Sequence, residues 1–177
     1  HFYEWKGVDV FLEALALVPG LRGLLVGGHP GDHDEVRLRT LVQSLGIDDR
    51  VTFTGLVPRS EVDRLVRSAT VCVVPTVDTP SARYTSPLKL FEYMACGRPV
   101  IISDLPPVRE VVEDEQTALL VPPGDAGKLA AALRRLLGDK VLAARITRSA
   151  SEVVSKYSWG QRAETLEDLF QTVVNSE

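Results

Sequence analysis

The feature that most constrains the fold of this chain is a regular alternation of short β-branched runs with longer amphipathic segments. Short apolar runs occur at positions 24–26, 51–54, 71–74, 100–102 and 118–121. Apolar residues recur at helical spacing in between, over residues 7–18, 32–45, 60–68, 88–96 and 107–112. Strands that alternate with helices are typical of βαβ units. The sequence therefore predicts an α/β fold built on an open, doubly wound parallel sheet.

The last part of the chain has helical patterns with no strand between them, at residues 125–137, 140–157 and 159–174. No repeat or linker interrupts the 177 residues, which is an ordinary size for one domain. We therefore predict a single domain over residues 1–177 with C-terminal helices. Because the chain starts at His1, without Met and without a first strand, we expect it to belong to a longer polypeptide.

Charge and hydropathy disfavour several classes of function. The chain has 20 Lys+Arg and 24 Asp+Glu, a formal net charge of −4, and lacks the basic surface of a duplex-binding protein. We therefore expect no nucleic-acid partner. Its apolar runs are shorter than the roughly 20 residues that a membrane span needs. Cys72 and Cys96 stand in apolar surroundings without CxxC spacing, which predicts buried, reduced thiols in a cytoplasmic protein.

Candidate functional residues are sought after the strands, because ligands of open α/β sheets bind beyond the carboxyl ends of the strands. Gly27 and Gly28 end the first predicted strand, where glycine either lets a ligand approach the backbone or forms a tight turn. No GxGxxG follows a strand and no GxxxxGK[ST] is present, so the dinucleotide and P-loop fingerprints are absent. Residues 75–87 are polar and aperiodic, which predicts a surface loop.

Two lysines stand where a helix dipole disfavours a cation by about 0.3–1 kcal/mol. Lys6 precedes the first predicted helix, and Lys89 lies in the first turn of the fourth. A bound anion explains both positions, because an ammonium group and free helix amides can share a phosphate. The alternatives are a solvated lysine beside Gly7 and a simple helix start, in which Thr85 and Ser86 provide a capping hydroxyl before a proline.

Glu92 lies on the same helix among Leu88, Phe91 and Met94, where little else is polar. It either pairs with Lys89 or contacts a ligand. An i,i+3 pair stabilises a helix by only about 0.2–0.5 kcal/mol, which poorly offsets the cost of a charge on a helix expected to be mainly buried. A carboxylate accepts two hydrogen bonds side by side, so a ribose diol suits Glu92.

Metal and nucleophile sites are not favoured. Residues 29–34 contain His29, Asp32, His33 and Asp34, but Pro-Gly intervenes and no third anchored ligand is evident, so a solvated loop with an Asp helix cap is preferred. Ser and Cys nucleophiles lack a His that the sequence places beside them. We expect no metal.

Three stretches, WKGVD at residues 5–9 with its helix, VTFTG at 51–55 and SPLKLFEYMACGRPV at 86–100, together resemble the C-terminal half of retaining GT-B glycosyltransferases of the group-one, family-four type. The similarity extends from His1 to about Trp159. It implies the Rossmann-like, nucleotide-sugar-binding domain of a GT-B fold, preceded by a first strand and an N-terminal acceptor domain. The donor would be a UDP- or GDP-sugar. The acceptor would be a carbohydrate or lipid-linked molecule bound by the preceding domain.

By resemblance, Lys6 binds the donor diphosphate and Glu92 holds the ribose hydroxyls. The remaining residues that we expect at the donor site are Gly27, Gly28, Gly55, Leu56, Val57, Tyr84, Thr85, Ser86, Leu88 and Lys89. Residues 55–57 would line the base, and residues 86–88 would meet the phosphates. Two positions depart from the family: its first glutamate falls on Tyr84, and an arginine before the lysine falls on His1.

The resemblance implies retention at the anomeric carbon, by attack on the face that the diphosphate leaves. Lys6, Lys89 and two helix dipoles would stabilise the leaving group in place of a metal, with no cofactor. This chain alone would bind donor without turnover. In the cytoplasm it would be free, or peripheral at the inner face of the membrane through the preceding domain.

Other functions remain open. A nucleotide-sugar 2-epimerase of the same fold would need acidic and His groups from both domains. An inactive nucleotide-binding or scaffold module is favoured by Tyr84. A receiver-like α/β domain is disfavoured, because no acidic pair follows the first strand.

Overall fold

A computed structural model describes residues 1–174 of the chain. The helices α1–α8 are Val8–Ala16, His33–Ser44, Arg59–Ser68, Leu88–Ala95, Pro106–Arg109, Ala126–Gly138, Lys140–Ser155 and Trp159–Val174. The strands β1–β5 are Gly23–Leu25, Val51–Phe53, Cys72–Val74, Val100–Ser103 and Leu119–Val121. Short 3₁₀ turns occupy Glu4–Lys6, Asp48–Arg50 and Ala82–Tyr84. Every predicted helix and strand is present, and the α/β fold class is confirmed.

All strand pairs are parallel, and they form two hydrogen-bonded groups. β1 pairs with β2, and β4 lies between β3 and β5. Among residues 1–174, no ladder joins the two groups, a division that the sequence did not predict. Pairing order depends on contacts between residues far apart in the chain, whereas the apolar runs that predict each strand are local.

Helices cover both faces of the strands. β4 is buried at every position, and its neighbours Ile101 and Ile102 pack into two different clusters. The Ile101 cluster includes residues of α1, α6 and α7, and the Ile102 cluster includes residues of α4 and α5. A third cluster packs α1 and α2 on β1. Because side chains alternate between faces along a strand, this division is that of a doubly wound domain.

Helix ends follow the predictions in part. Gly97 has φ +65° and follows α4, as expected for a left-handed C-terminal stop. α3 begins directly after Pro58, and no side chain caps it. The predicted hydroxyl cap of α4 is wrong, since the capping position is Pro87.

The two cysteines and α8 differ in their surroundings. Cys72 and Cys96 are buried, as predicted, and burial raises the pKa of the Cys72 thiol to about 12. α8, by contrast, buries no residue, and Trp159 and Phe170 are exposed on it. No helix within the described range combines the length and the apolar character needed to span a bilayer.

Candidate functional site

The segment that carries Lys6 is held against the end of β3 by its backbone. Its 3₁₀ turn ends at Gly7, where φ is +66°. A Cβ at Gly7 would overlap the carbonyl oxygen of Pro75, and the N–H of Val77 donates to the Trp5 carbonyl at 3.0 Å. Since both the positive φ and the close approach require glycine, Gly7 fixes Lys6 relative to the start of the 75–87 loop.

The Lys6 ammonium group is half-buried in this segment. Its Nζ donates to the His1 carbonyl oxygen at 2.7 Å and lies 5.4 and 5.7 Å from the ring centroids of Tyr3 and Trp5, within cation–π range. Burial lowers the pKa of Lys6, and the charge of Lys89 lowers it further. Lys6 is therefore a partly desolvated cation rather than a freely solvated one.

Lys89 is more exposed and pairs with Glu92 on α4. The Lys89 Nζ donates to Glu92 Oε2 at 2.6 Å, and the two side chains are 59% and 43% exposed. The prediction of a mainly buried helix is wrong, because α4 buries only Leu90 and Met94. Pairing with Lys89 thus accounts for Glu92 without a ligand, which was one of the two alternatives.

The two lysines flank the loop that joins β3 to α4, although they come from different elements. The charge of Lys89 is the second cause, after burial, that lowers the pKa of Lys6. The loop that joins β3 to α4 begins beside Gly7 and ends at Pro87. Lys6 and Lys89 therefore stand at the two ends of one loop, beside the starts of α1 and α4, an arrangement that suits a phosphate-bearing anion.

The predicted glycines lie at the carboxyl ends of β1 and β2. The N–H of Gly27 donates to the Gly55 carbonyl at 3.0 Å, so these two turns are neighbours. Leu56 is exposed beside them and Val57 is half-buried. At Gly28 the ring of Phe2 occupies the space that a Cβ would take, so packing within the chain requires glycine there.

The 75–87 loop contains a charged pair that sequence reasoning missed. Arg83 donates from Nε and Nη2 to the two carboxylate oxygens of Asp78, at 2.8 and 2.7 Å. Tyr84 beside it is 90% exposed, and the Thr85 hydroxyl donates to the Ser81 carbonyl at 2.7 Å rather than capping α4. The only signal for the pair in the sequence was opposite charge five positions apart in a loop.

Ser86 and Leu88 complete the predicted set at the start of α4. Both are exposed, and the Ser86 carbonyl accepts from the N–H of Leu88 at 2.9 Å. Their exposure leaves the start of α4 open to solvent and to an anion.

A larger cavity of about 680 Å³ lies between α5, residues 110–117 and β5. None of the predicted site residues lines it. Its walls include Asp104 and Arg109, which pair at 2.5 Å, and the carboxylates of Glu110 and Glu113.

The histidine-rich turn after β1 contacts the N-terminal residue. His1 Nδ1 lies 3.8 Å from Asp32 Oδ2, and the His1 ring centroid lies 5.2 Å from that of His29. Within the part of the chain that the structure describes, no group of three or more His, Cys, Asp or Glu side chains could hold a metal ion.

The parallel α/β architecture, with a lysine at each of two helix starts beyond the strand ends, is that of a doubly wound domain. The model of one family, described as glycosyl transferases group 1, matches residues 1–139. The chain belongs to this family, which confirms the resemblance noted in the sequence.

Curated relatives extend well beyond this chain. A phosphatidyl-myo-inositol mannosyltransferase from Mycobacterium leprae is 34% identical over 177 residues, which cover 97% of this chain and 44% of the relative. A D-inositol 3-phosphate glycosyltransferase from Mycobacteroides abscessus is 32% identical over 163 residues, which cover 91% of this chain and 35% of the relative. The chain thus spans less than half the length of these proteins.

Solved structures show the same fold. A sucrose-phosphate synthase from Thermosynechococcus elongatus superposes with a TM-score of 0.86 at 34% identity, covering 99% of this chain and 44% of that protein. Anabaena HepE in complex with UDP-glucose superposes with a TM-score of 0.81 at 26% identity, covering 94% of this chain and 46% of that protein. The GT-B assignment is thereby confirmed.

Proposed function

We propose that this chain is the donor-binding, C-terminal domain of a group 1 glycosyltransferase that moves a sugar from a nucleotide diphosphate sugar to an acceptor. The observation that carries the proposal is the placement of Lys6 and Lys89 at the starts of α1 and α4, at the two ends of the 75–87 loop. The UDP-glucose complex of Anabaena HepE supports a uridine donor, and a GDP-sugar is the alternative.

Binding would exchange contacts within the chain for contacts to the donor. The diphosphate would take the Lys6 ammonium from the His1 carbonyl and the Lys89 ammonium from Glu92. Glu92 would then be free to accept the two ribose hydroxyls. The base would lie over Gly55, Leu56 and Val57, beyond the end of β2.

The chemistry that this site supports is stabilisation of a leaving diphosphate. Lys6 and Lys89 neutralise charge that develops on its oxygens, and the amides of two helix starts add to the effect. The proposed reaction retains the anomeric configuration, with attack from the face that the diphosphate leaves. The acceptor, a carbohydrate or a lipid-linked molecule, would bind the rest of the protein, which could also hold the enzyme at the inner face of the membrane.

Calorimetric titration of this chain with UDP, GDP, ADP and uridine tests the proposal. We expect one nucleoside diphosphate to bind and uridine to bind much more weakly, because the lysines contact phosphate. If none of the three diphosphates binds, the proposal is wrong. If the full-length protein binds the diphosphate but releases no sugar from any nucleotide sugar, the inactive nucleotide-binding module is the better assignment.

A further inference from the structure

A small cavity lies inside the loop that joins β3 to α4. It has a volume of about 270 Å³ and is lined by Asp78, Thr79, Pro80, Arg83 and Tyr84. Pockets for drug-sized ligands are usually about 300–1,000 Å³. The cavity therefore suits one small ring rather than a whole nucleotide.

The Asp78–Arg83 pair gives the cavity wall both donors and acceptors. A guanidinium group has five N–H donors, and this pair uses only two of them. Each Asp78 oxygen accepts one of these bonds and retains a free lone pair. Adjacent hydroxyl groups of a sugar need such a combination, because each hydroxyl donates one hydrogen bond and accepts others.

The cavity is formed before any ligand arrives. The Thr79 hydroxyl oxygen accepts from the N–H of Ala82 at 3.2 Å, and Thr85 bonds the Ser81 carbonyl. Together with the Asp78–Arg83 pair, these contacts hold the loop, so binding would cost little ordering entropy. The Tyr84 ring at the rim is exposed and offers an apolar surface to the C–H groups of a ring.

The position of the loop connects this cavity with the proposed diphosphate site. Its first residue, Pro75, packs on Gly7 next to Lys6, and its last, Pro87, precedes the helix that carries Lys89. A group attached to a diphosphate held by these two lysines would therefore lie beside the loop.

We infer that this cavity receives the sugar ring of the donor, and that the Asp78–Arg83 pair with Tyr84 determines which neutral hexopyranose is accepted. The inference rests on the proposed function, because the lysines must hold the diphosphate. It adds residues of this chain to sugar recognition, at a loop position where the sequence resemblance supplies only Tyr84.

Comparing the affinity for a sugar nucleotide with that for its free diphosphate distinguishes this inference from the proposed function. We would titrate wild type, Asp78→Asn and Arg83→Ala with UDP, UDP-glucose, UDP-galactose and UDP-N-acetylglucosamine, with GDP and GDP-mannose as the purine set. For wild type we expect the affinity for one of the sugar nucleotides to differ from the affinity for the corresponding free nucleoside diphosphate. Each substitution should reduce this sugar-dependent ratio by about tenfold, as for loss of a hydrogen bond to a charged group, and leave the diphosphate affinity unchanged.

The matched control is Glu61→Gln, which removes one partner of another exposed Arg–carboxylate pair, on α3. It should not alter the ratio. Tyr84→Ala, at a residue that is almost fully exposed, provides a second variant that should reduce the ratio even if a substitution in the pair impairs folding. A ratio unchanged by all three loop variants, or a wild type that does not distinguish the sugars from the diphosphate, overturns the inference but not the proposed function. Absence of diphosphate binding in wild type refutes both.

Discussion

Lys6 and Lys89 both stand at the start of a helix, yet the chain holds them in different ways. Lys6 is fixed by backbone contacts, with Gly7 against Pro75 and Trp5 bonded to Val77. Lys89 is exposed, follows an uncapped helix start, and pairs with Glu92. The difference shows that similar placement along a helix dipole does not produce a similar environment.

This difference predicts separate roles for the two cations. Partial burial lowers the pKa of Lys6, so a bound anion there would restore favourable interactions that burial removed. Lys89 would give up an exposed i,i+3 ion pair, which is worth only about 0.2–0.5 kcal/mol. We therefore expect Lys6 to provide the prearranged part of the site and Lys89 the adjustable part.

The largest expected effect comes from Gly7→Ala, which disrupts the close backbone contact between Gly7 and Pro75. The new methyl group would overlap the Pro75 carbonyl at a positive φ, so the free energy of unfolding should fall by about 3 kcal/mol, with loss of nucleotide binding. Urea denaturation measures the first and calorimetry the second. Gly20→Ala is the control, because Gly20 also has positive φ but has open space around it; its cost should be about 1 kcal/mol. If Gly7→Ala and Gly20→Ala lower the free energy of unfolding equally, the contact between Gly7 and Pro75 is unimportant for stability.

The second prediction compares the loss of nucleotide affinity when each lysine is substituted. Lys6→Ala and Lys89→Ala should each weaken binding of UDP, or of the diphosphate that binds, by about 1.5–3 kcal/mol, with Lys89 at the lower end because it is solvated, and should affect uridine much less. Lys128→Ala serves as control, since Lys128 also lies in the first turn of a helix, α6, outside the proposed site. If the three variants bind UDP as wild type does, both lysines belong to the solvated surface.

The elements of the fold could be predicted because the signals are local. Apolar runs with helical spacing located α1–α8, and β-branched runs located β1–β5, within a few residues. The division of the strands into two groups could not be predicted, because it depends on which distant segments meet. Burial of α4 was overestimated for the same reason: its packing against β4 and α7 leaves the Lys89–Glu92 side in solvent.

For the site, residue types were easier to predict than their partners. Glycine at position 28 does meet a close neighbour, but that neighbour is Phe2 of this chain, which lies 26 positions away. The Glu92 carboxylate was correctly considered as a partner of Lys89. Asp78 and Arg83 were missed, because a loop has no periodicity that relates one side chain to another.

A smaller effect concerns pH and should distinguish the two lysines further. If the Lys6 ammonium contacts the diphosphate as proposed, binding requires a protonated Lys6, and burial lowers the pKa of Lys6 below its ordinary value. As pH rises through this lowered pKa, the ammonium is lost, so UDP affinity should start to fall at a lower pH than an exposed lysine would allow.

Lys6→Arg should move this fall to higher pH, because guanidinium stays charged in the same range. Titrations at several alkaline pH values measure the shift, and Lys89→Arg should change the profile less. If neither substitution moves the profile, then deprotonation of Lys6 does not limit binding.

The smallest expected effect has opposite signs for two ligands. Glu92→Gln frees the Lys89 ammonium, so affinity for inorganic diphosphate should rise by up to about twofold, the value of an i,i+3 pair. The same substitution should weaken UDP binding more than binding of 2′-deoxy-UDP, because the proposed ribose contact needs a carboxylate. Calorimetry with the three ligands measures both changes. If Glu92→Gln leaves the preference for UDP over 2′-deoxy-UDP unchanged, the ribose assignment is wrong. If it leaves the affinity for inorganic diphosphate unchanged, the ion pair between Glu92 and Lys89 does not compete with a bound anion.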